Sequence, residues 1–262
     1  MSYQEIRLVL DGAVAELTLA RAESSNAMTE AMGGEIVRAI EAINASAATR
    51  VVLVRGEGKN FSSGGAFEML ERRSRDTPDD NRTTMRRFYD SFLSIRDVRV
   101  PTIAVLQGAA MGAGLCFALA CDLRIAASKT KLGANFVRVG LHPGMGATWL
   151  LPRTVGAAAA ADLLLTGRTI EAEEGLRLGV INQVHDKEAL DLAARALAAR
   201  IAEGAPLAIA KTKATLLAVD NRTLDEALTE EANAQAADFA TNDLKEAIAA
   251  FGAKRPPRFG GS

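Results

Sequence analysis

The stretch from Thr102 to Asp122, TIAVLQGAAMGAGLCFALACD, constrains the fold of this chain more than any other segment. It opens with Thr102-Ile103-Ala104-Val105-Leu106, an apolar, β-branched run of buried-strand length. Gln107 and Gly108 break the run, and Gly108, Gly112 and Gly114 fall within seven residues. An apolar helical segment is expected from there to Cys121-Asp122. A strand that turns through glycines into a helix leaves backbone N–H groups unpaired at the helix N-terminus, where the dipole favours negative charge. Glycine also lets a ligand approach the main chain closely. The stretch therefore reads as a device for holding an anion or a developing oxyanion.

Three other uses compete for the same residues. Between Thr102 and Cys121 only Thr102 and Gln107 are polar, which suits a membrane span. Against this, the glycines and Gln107 sit where a strand-to-helix turn belongs, and no other segment resembles a span. Gly108-x-x-x-Gly112-x-Gly114 also imitates a dinucleotide-binding loop. Such a loop follows the first strand, with an acidic residue closing the next βαβ step. Here it lies past residue 100, and neither Tyr3 nor Tyr89 has the lysine four residues on that a short-chain dehydrogenase would need. The third use is close helix–strand packing alone, which the motif by itself does not separate from ligand binding.

Composition narrows the function classes. At 262 residues and 48% apolar, the chain has ample material for one large domain, or a core with an appendage. Its 31 basic and 32 acidic residues balance, so nothing draws nucleic acid or a membrane surface. Met1-Ser-Tyr-Gln-Glu-Ile-Arg7 contains no apolar signal core. Cys116 and Cys121, five apart in an apolar segment, suit neither a metal site nor a disulfide framework. His142 and His185 are far apart and lack cysteine neighbours, so no zinc site is expected, and His185 reads as surface. A reducing, cytoplasmic setting with no permanently bound cofactor follows as the expectation.

Taken in order, Glu5–Leu10 and Val14–Leu19 read as a hairpin around Asp11-Gly12. A helix from Thr29 to Asn44 would place Met32, Ile36, Ile40 and Ile43 on one face. Val51–Val54 is a short strand, followed by the glycine-rich turn Gly56–Gly65. Strand, glycine-rich turn and helix thus occur twice, which suggests parallel strands with covering helices. Asp76–Asn81 reads as a mobile loop, Leu123–Ala127 as a strand, and Gly156–Leu165 as an alanine-rich helix after a third glycine-rich turn, Gly140–Thr148. From Asp186 onward only helices are expected, at 186–203, 206–219, 223–240 and 242–251. Their separators are Gly204-Ala-Pro206, Asp220-Asn-Arg222 and Thr241-Asn242, and Thr223-Leu-Asp-Glu226 is a capping box. The shift to an all-helical tail suggests an α/β core over 1–195 and a helical region over 196–262.

Several of these pieces, in this order and spacing, resemble the enoyl-CoA hydratase/isomerase (crotonase) family. They are Phe61-Ser-Ser-Gly-Gly65, Gln107-Gly-Ala-Ala-Met-Gly-Ala-Gly114 with Cys121-Asp-Leu-Arg124, and Leu141-His-Pro-Gly144. Arg21, Asn26-Ala-Met28, Leu164-Leu-Thr-Gly-Arg168, and Phe239–Asp243 through Phe251-Gly-Ala-Lys-Arg255 agree with them. The resemblance covers nearly the whole chain. It implies an α/β fold, a spiral of ββα turns with a C-terminal helical trimerisation region, assembling as a homotrimer or a dimer of trimers. It implies an acyl-CoA substrate, coenzyme A being part of that substrate, with the thioester carbonyl polarised by two backbone N–H groups. By position these belong to Gly65 and Ala113. The same resemblance places coenzyme A contacts on Arg21, on the main chain of Ser63 and Ala66, and on Phe251 and Lys254 of a neighbouring subunit.

Where the pattern departs from the family matters most. Hydratases of this kind carry two glutamates that position and activate water; the matching positions here are Cys116 and Phe136. Neither side chain does carboxylate acid–base work, and Cys116 reads as a buried, inert thiol. The aspartate of dehalogenating relatives would lie near Gly144 and is also missing. Glu68, three residues past Gly65, is a candidate catalytic group or a solvated surface residue. His142 could donate to a substrate carboxylate or cap the following helix, and Tyr89 lies on a helix that could cover the acyl pocket. Three functions follow. A decarboxylase needs only the enolate hole, and relatives of that kind use carrier-protein thioesters as well as acyl-CoA. An isomerase or weak hydratase would draw its proton from Glu68 or another group. A non-catalytic acyl-CoA binder needs neither.

Overall fold

The computed structural model describes residues 2–219 and 222–262 of the chain. Strands β1 (Ile6–Asp11) and β2 (Val14–Leu19) form the expected hairpin, with Asp11 opposite Val14. From β2 the sheet continues in parallel through β3 (Val51–Gly56), β4 (Thr102–Leu106), β6 (Leu123–Ala127) and β9 (Gln183–His185). Among the described residues its order is β1-β2-β3-β4-β6-β9.

Strand side chains alternate between faces, so a parallel sheet covered on both sides must be apolar at consecutive positions. Here Val52, Val54, Ala104 and Leu106 face the main core, while Val51, Leu53, Ile103 and Val105 face a second cluster. Helix α1 (Glu30–Ala45) buries Met32, Ile36, Ile40 and Ile43 in the main core, as its periodicity predicts, and Thr29 caps it by accepting from the Met32 N–H. Helix α7 (Leu190–Ala202) closes the second cluster with Leu190, Ala194 and Ala198. The composition boundary at residue 195 therefore falls inside a helix that belongs to the sheet's covering layer.

A smaller sheet is built from β5 (Ala109–Met111), β7 (Lys131–Gly133) and β8 (Thr169–Glu171). Bridges Ser62↔Ala110 and Met28↔Gly65 extend this pairing into the preceding loops. Each of β3, β4 and β6 is thus followed by a short stretch that pairs outside the large sheet. This is the spiral of ββα turns that the resemblance implied. The stretch Thr102–Asp122 is correspondingly more divided than expected: β5 occupies residues read as turn, and helix α4 (Ala113–Leu119) ends two residues before Cys121. Its strand partners come from residues 131–133 and 62, too far along the chain for local periodicity to show.

Helix α2 (Phe67–Arg73) follows the Gly56–Gly65 turn, and α3 (Pro78–Leu93) replaces the loop expected over Asp76–Asn81. Thr77 accepts from the Asp80 N–H, Pro78 opens the first turn, and Asp79 and Asp80 follow. That is a helix start, and the charged composition obscured it. Helix α5 (Ala147–Thr166) is broken at Gly156, so the expected 156–165 helix is its second half. Helix α6 (Ala172–Leu178) precedes β9. His185, read as surface, is half-buried on β9 opposite Ala127, with its ring 3.0 Å from the Gln183 amide.

Beyond β9 the chain is helical, as expected: α7, then α8 (Pro206–Ala218), α9 (Leu224–Phe239) and α10 (Asn242–Gly252). The Thr223–Glu226 capping box is made in both directions. Of the separator at 220–222, Asp220 and Asn221 lie outside the described residues. Helix α8 is tied to the site's strand by Lys213, whose buried ammonium reaches the Asp122 carboxylate at 2.8 Å and the Val100 carbonyl at 2.9 Å. Asp122 in turn accepts from the Thr102 N–H and hydroxyl at the start of β4. Removing one member of a buried pair strands the other charge at a cost of about 3–5 kcal/mol. With the Asp122 side chain 24% exposed, Lys213→Met should cost about 3 kcal/mol in a urea unfolding titration. An unshifted midpoint would show that the pair contributes nothing.

Candidate active site

Two loops meet at the site, one between β3 and α2 and one between β5 and α4. In the first, the backbone is held on both sides. Ser62 donates its N–H to the Ala109 carbonyl and accepts from the Met111 N–H, each at 3.0 Å. The Ser63 N–H donates to Ser25, the Gly64 N–H to the Ser62 hydroxyl, and the Ala66 N–H to Met28. From Ser62 to Ala66, Gly65 alone has an N–H without an acceptor among the described residues.

In the second loop the Gly112 N–H donates to the Gly133 carbonyl at 2.7 Å and the Cys116 N–H returns to Gly112. Ala113, the first residue of α4, has no acceptor for its N–H, as first-turn geometry requires. Gly112 makes this turn at φ 51°, ψ −120°, a conformation that a side chain would strain. The loops are in contact: a Cβ on Gly64 would lie 3.4 Å from the Ala113 nitrogen. Gly114 serves packing, since a Cβ there would come within 2.7 Å of the Ser62 Cβ. Different glycines therefore do different work in this motif: Gly112 makes the turn before the unpaired Ala113 N–H, and Gly114 serves packing. With seven residues, α4 is short, so these directed N–H groups rather than a long helix dipole carry the local positive potential.

The groups around the donors are mostly apolar. Cys116, one turn beyond Ala113, is fully buried with its sulfur 3.7 Å from the Gly144 carbonyl. Burial pushes its thiol up to about 12, and Cys121 likewise. At neutral pH a thiol of that pKa is thiolate in roughly one molecule in 10⁵, so Cys116 is no general base. Phe136 is half-buried beside the Gly112 turn, its ring 3.9 Å from where a Gly112 Cβ would sit. Met69 approaches Gly65, with its terminal methyl 3.2 Å from the corresponding Cβ position. Tyr89 of α3 sets its hydroxyl against Gly144: a Cβ there would lie 2.5 Å from it.

The remaining candidates divide. Glu68 is exposed and makes no hydrogen bond or ion pair among the described residues. Helix α2 begins two residues after Gly65, so the helical spacing from Gly65 to Glu68 does not apply and Met69 takes the inward position. His142 is exposed and caps nothing, because the next helix starts at Ala147. The Arg21 guanidinium donates to the Ala27 carbonyl at 2.8 Å and lies 3.4 Å from Glu5. The N–H groups of Ser63 and Ala66 are already engaged, and the Ser63 carbonyl has no donor among the described residues. Phe251 on α10 is 88% exposed, and Lys254 just beyond it is exposed too. Sequence reading missed Met69 and the Tyr89–Gly144 contact. The inward stripe Met85, Phe88, Tyr89, Phe92 was its available signal for the second.

A raised thiol pKa stabilises the folded state below the unfolded-state value and is lost as pH rises towards the folded one. The thiols' ordinary value is 9.0, so their contribution should fade between about pH 9 and 12. Neither cysteine should react with iodoacetamide at pH 7.5 in the native protein, while both should react in guanidinium. Rapid native labelling of Cys116 would overturn this assignment.

With the geometry in hand, the chain can be set beside known proteins. A family model described as enoyl-CoA hydratase/isomerase matches residues 10–262. A crotonyl-CoA hydratase of Syntrophomonas wolfei subsp. wolfei is 34% identical over 260 residues, covering 99% of each chain. The crystal structure of an enoyl-CoA hydratase from Bacillus anthracis superposes with a TM-score of 0.93 at 30% identity, over 99% of this chain and all of that one. One from Polaromonas sp. JS666 does so with a TM-score of 0.92 at 31% identity, over 97% and 99%. By whole-chain sequence and fold, the protein belongs to the enoyl-CoA hydratase/isomerase family.

Proposed function

We propose that this protein binds an acyl thioester, acyl-CoA in the first instance, and stabilises its enolate between the N–H groups of Gly65 and Ala113. The observation that carries this reading is the pair of adjoining loops that leave the Gly65 N–H and the first-turn Ala113 N–H without acceptors among the described residues. Neutral amide donors fixed in place stabilise a developing oxyanion without titrating and without reorganising during the reaction. The walls favour decarboxylation over hydration. Hydration needs a base for water, and the groups set beside the donors include the Cys116 thiol and the Phe136 ring. Decarboxylation of a malonyl-type thioester needs none. The bond from the second carbon to the carboxylate breaks, carbon dioxide leaves, and the electron pair forms the enolate, which then takes a proton at that carbon. Relatives named hydratases make hydration the outcome to test against.

Assembly through the C-terminal helices belongs to the same proposal. It is supported by the exposure of Leu224, Phe239, Ile248 and Phe251, and by a cavity of about 300 Å³ between α8, α9, α10 and Phe259. Light scattering at micromolar concentration should report a trimer or hexamer, and a monomer would sink the idea.

A panel of malonyl-, crotonyl- and 3-enoyl-CoA thioesters should show carbon dioxide release well ahead of hydration or double-bond migration. Gly65→Pro deletes one donor and should lower turnover by about 10²–10³. Efficient crotonyl-CoA hydration by the unmodified protein would defeat the decarboxylase reading. Tight acyl-CoA binding without any turnover would establish a binder instead.

A further inference from the structure

We propose that the Tyr89 hydroxyl delivers the proton to the second carbon of the enolate, an inference that rests on the acyl-thioester reading above. Four contacts place it there. A Cβ on Gly144 would lie 2.5 Å from the Tyr89 hydroxyl oxygen and 3.0 Å from its ring carbon, so Gly144 is the residue type that leaves room for this phenol. The Cys116 thiol donates to the carbonyl of the same Gly144. Cys116 is one helical turn from the Ala113 donor, and Phe136 flanks the Gly112 turn that begins that helix. The phenol is thus linked through Gly144 and the Cys116 thiol to the helix whose first residue supplies the Ala113 donor, and we place the second carbon of the acyl chain between them.

The chemistry of the group fits the task. The Tyr89 hydroxyl has no hydrogen-bond partner among the described residues, although α3 packs firmly through Phe88 and Phe92 and the ring itself is half-buried against the core. Of the other side chains set around the two loops, Met69, Phe136 and the Asn135 amide have no acidic proton, and the Cys116 thiol donates to Gly144. Burial raises the phenol above its ordinary pKa, so it stays protonated at neutral pH and acts as a donor. An enolate carbon is far more basic than a phenolate, so the transfer runs downhill. The O–H bond of Tyr89 breaks as the new C–H bond forms, and solvent water then reprotonates the phenolate.

The test uses 2-methylmalonyl-CoA in deuterium oxide, because a methyl-bearing second carbon records the face on which the proton arrives. The unmodified protein should give propionyl-CoA labelled in one configuration. Tyr89→Phe preserves the ring and should bind propionyl-CoA within about twofold of the unmodified protein. It should slow product formation by about 10²-fold or more and give both configurations. Gly144→Ala, which displaces the phenol, should scramble the label in the same way. Single-configuration label at an undiminished rate from Tyr89→Phe overturns the role of Tyr89 and leaves the decarboxylase reading intact. Absence of carbon dioxide release from the unmodified protein overturns both.

Discussion

The site depends on one constraint: among the described residues every backbone N–H from Ser62 to Ala66 is paired except that of Gly65, and the first-turn N–H groups of α4, Ala113's among them, have no acceptor. Strand pairing across Ser62↔Ala110 and Met28↔Gly65 fixes the first loop from both sides. The Gly112–Gly133 bond pins the second. Gly65 and Ala113 are left over because the Met28 bridge uses the groups on either side of Gly65, and because a first-turn residue has no carbonyl behind it. Leaving a buried donor unpaired ordinarily costs about 1–3 kcal/mol. On the proposed function, that cost is the form in which the fold stores its capacity to bind an oxyanion.

Much of the remaining architecture serves to keep those loops still. The large sheet is buried on both faces, so its strand ends do not move independently of the helices that cover it. Asp122 joins the end of the α4 segment to the start of β4 and, through Lys213, to α8. The C-terminal helices are in this way mechanically connected to the strand that delivers Ala113.

On the proposed function, what lines the site sets this chain's chemistry apart from hydration. Cys116 is buried, neutral and hydrogen-bonded to Gly144. Phe136 lies beside the Gly112 turn, and Glu68, the carboxylate nearest in sequence to Gly65, is exposed. An electrophilic hole with a dry wall favours reactions that generate an enolate without needing a base. Two polar side chains come in from outside the two loops: the Asn135 amide at the Gly112 turn, and the Tyr89 phenol, admitted by the absence of a side chain at Gly144.

The sequence by itself determined the hairpin, the β4 and β6 strands, α1 with its buried face, and the four C-terminal helices. These are local matters of periodicity, capping and glycine placement, and α1's burial of Met32, Ile36, Ile40 and Ile43 follows from a 3.6-residue repeat alone. Ordered motifs also pointed to the two donor positions, Gly65 and Ala113. Only the tertiary structure decided what pairs with what. Strand β5 exists because residues 131–133 lie beside it, and residue 195 lies inside α7, which covers a face of the large sheet. Met69 displaces Glu68 because α2 starts two residues later than helical counting from Gly65 assumes. Tyr89 meets Gly144 across 55 residues of chain, a distance at which spacing carries no information and only packing does.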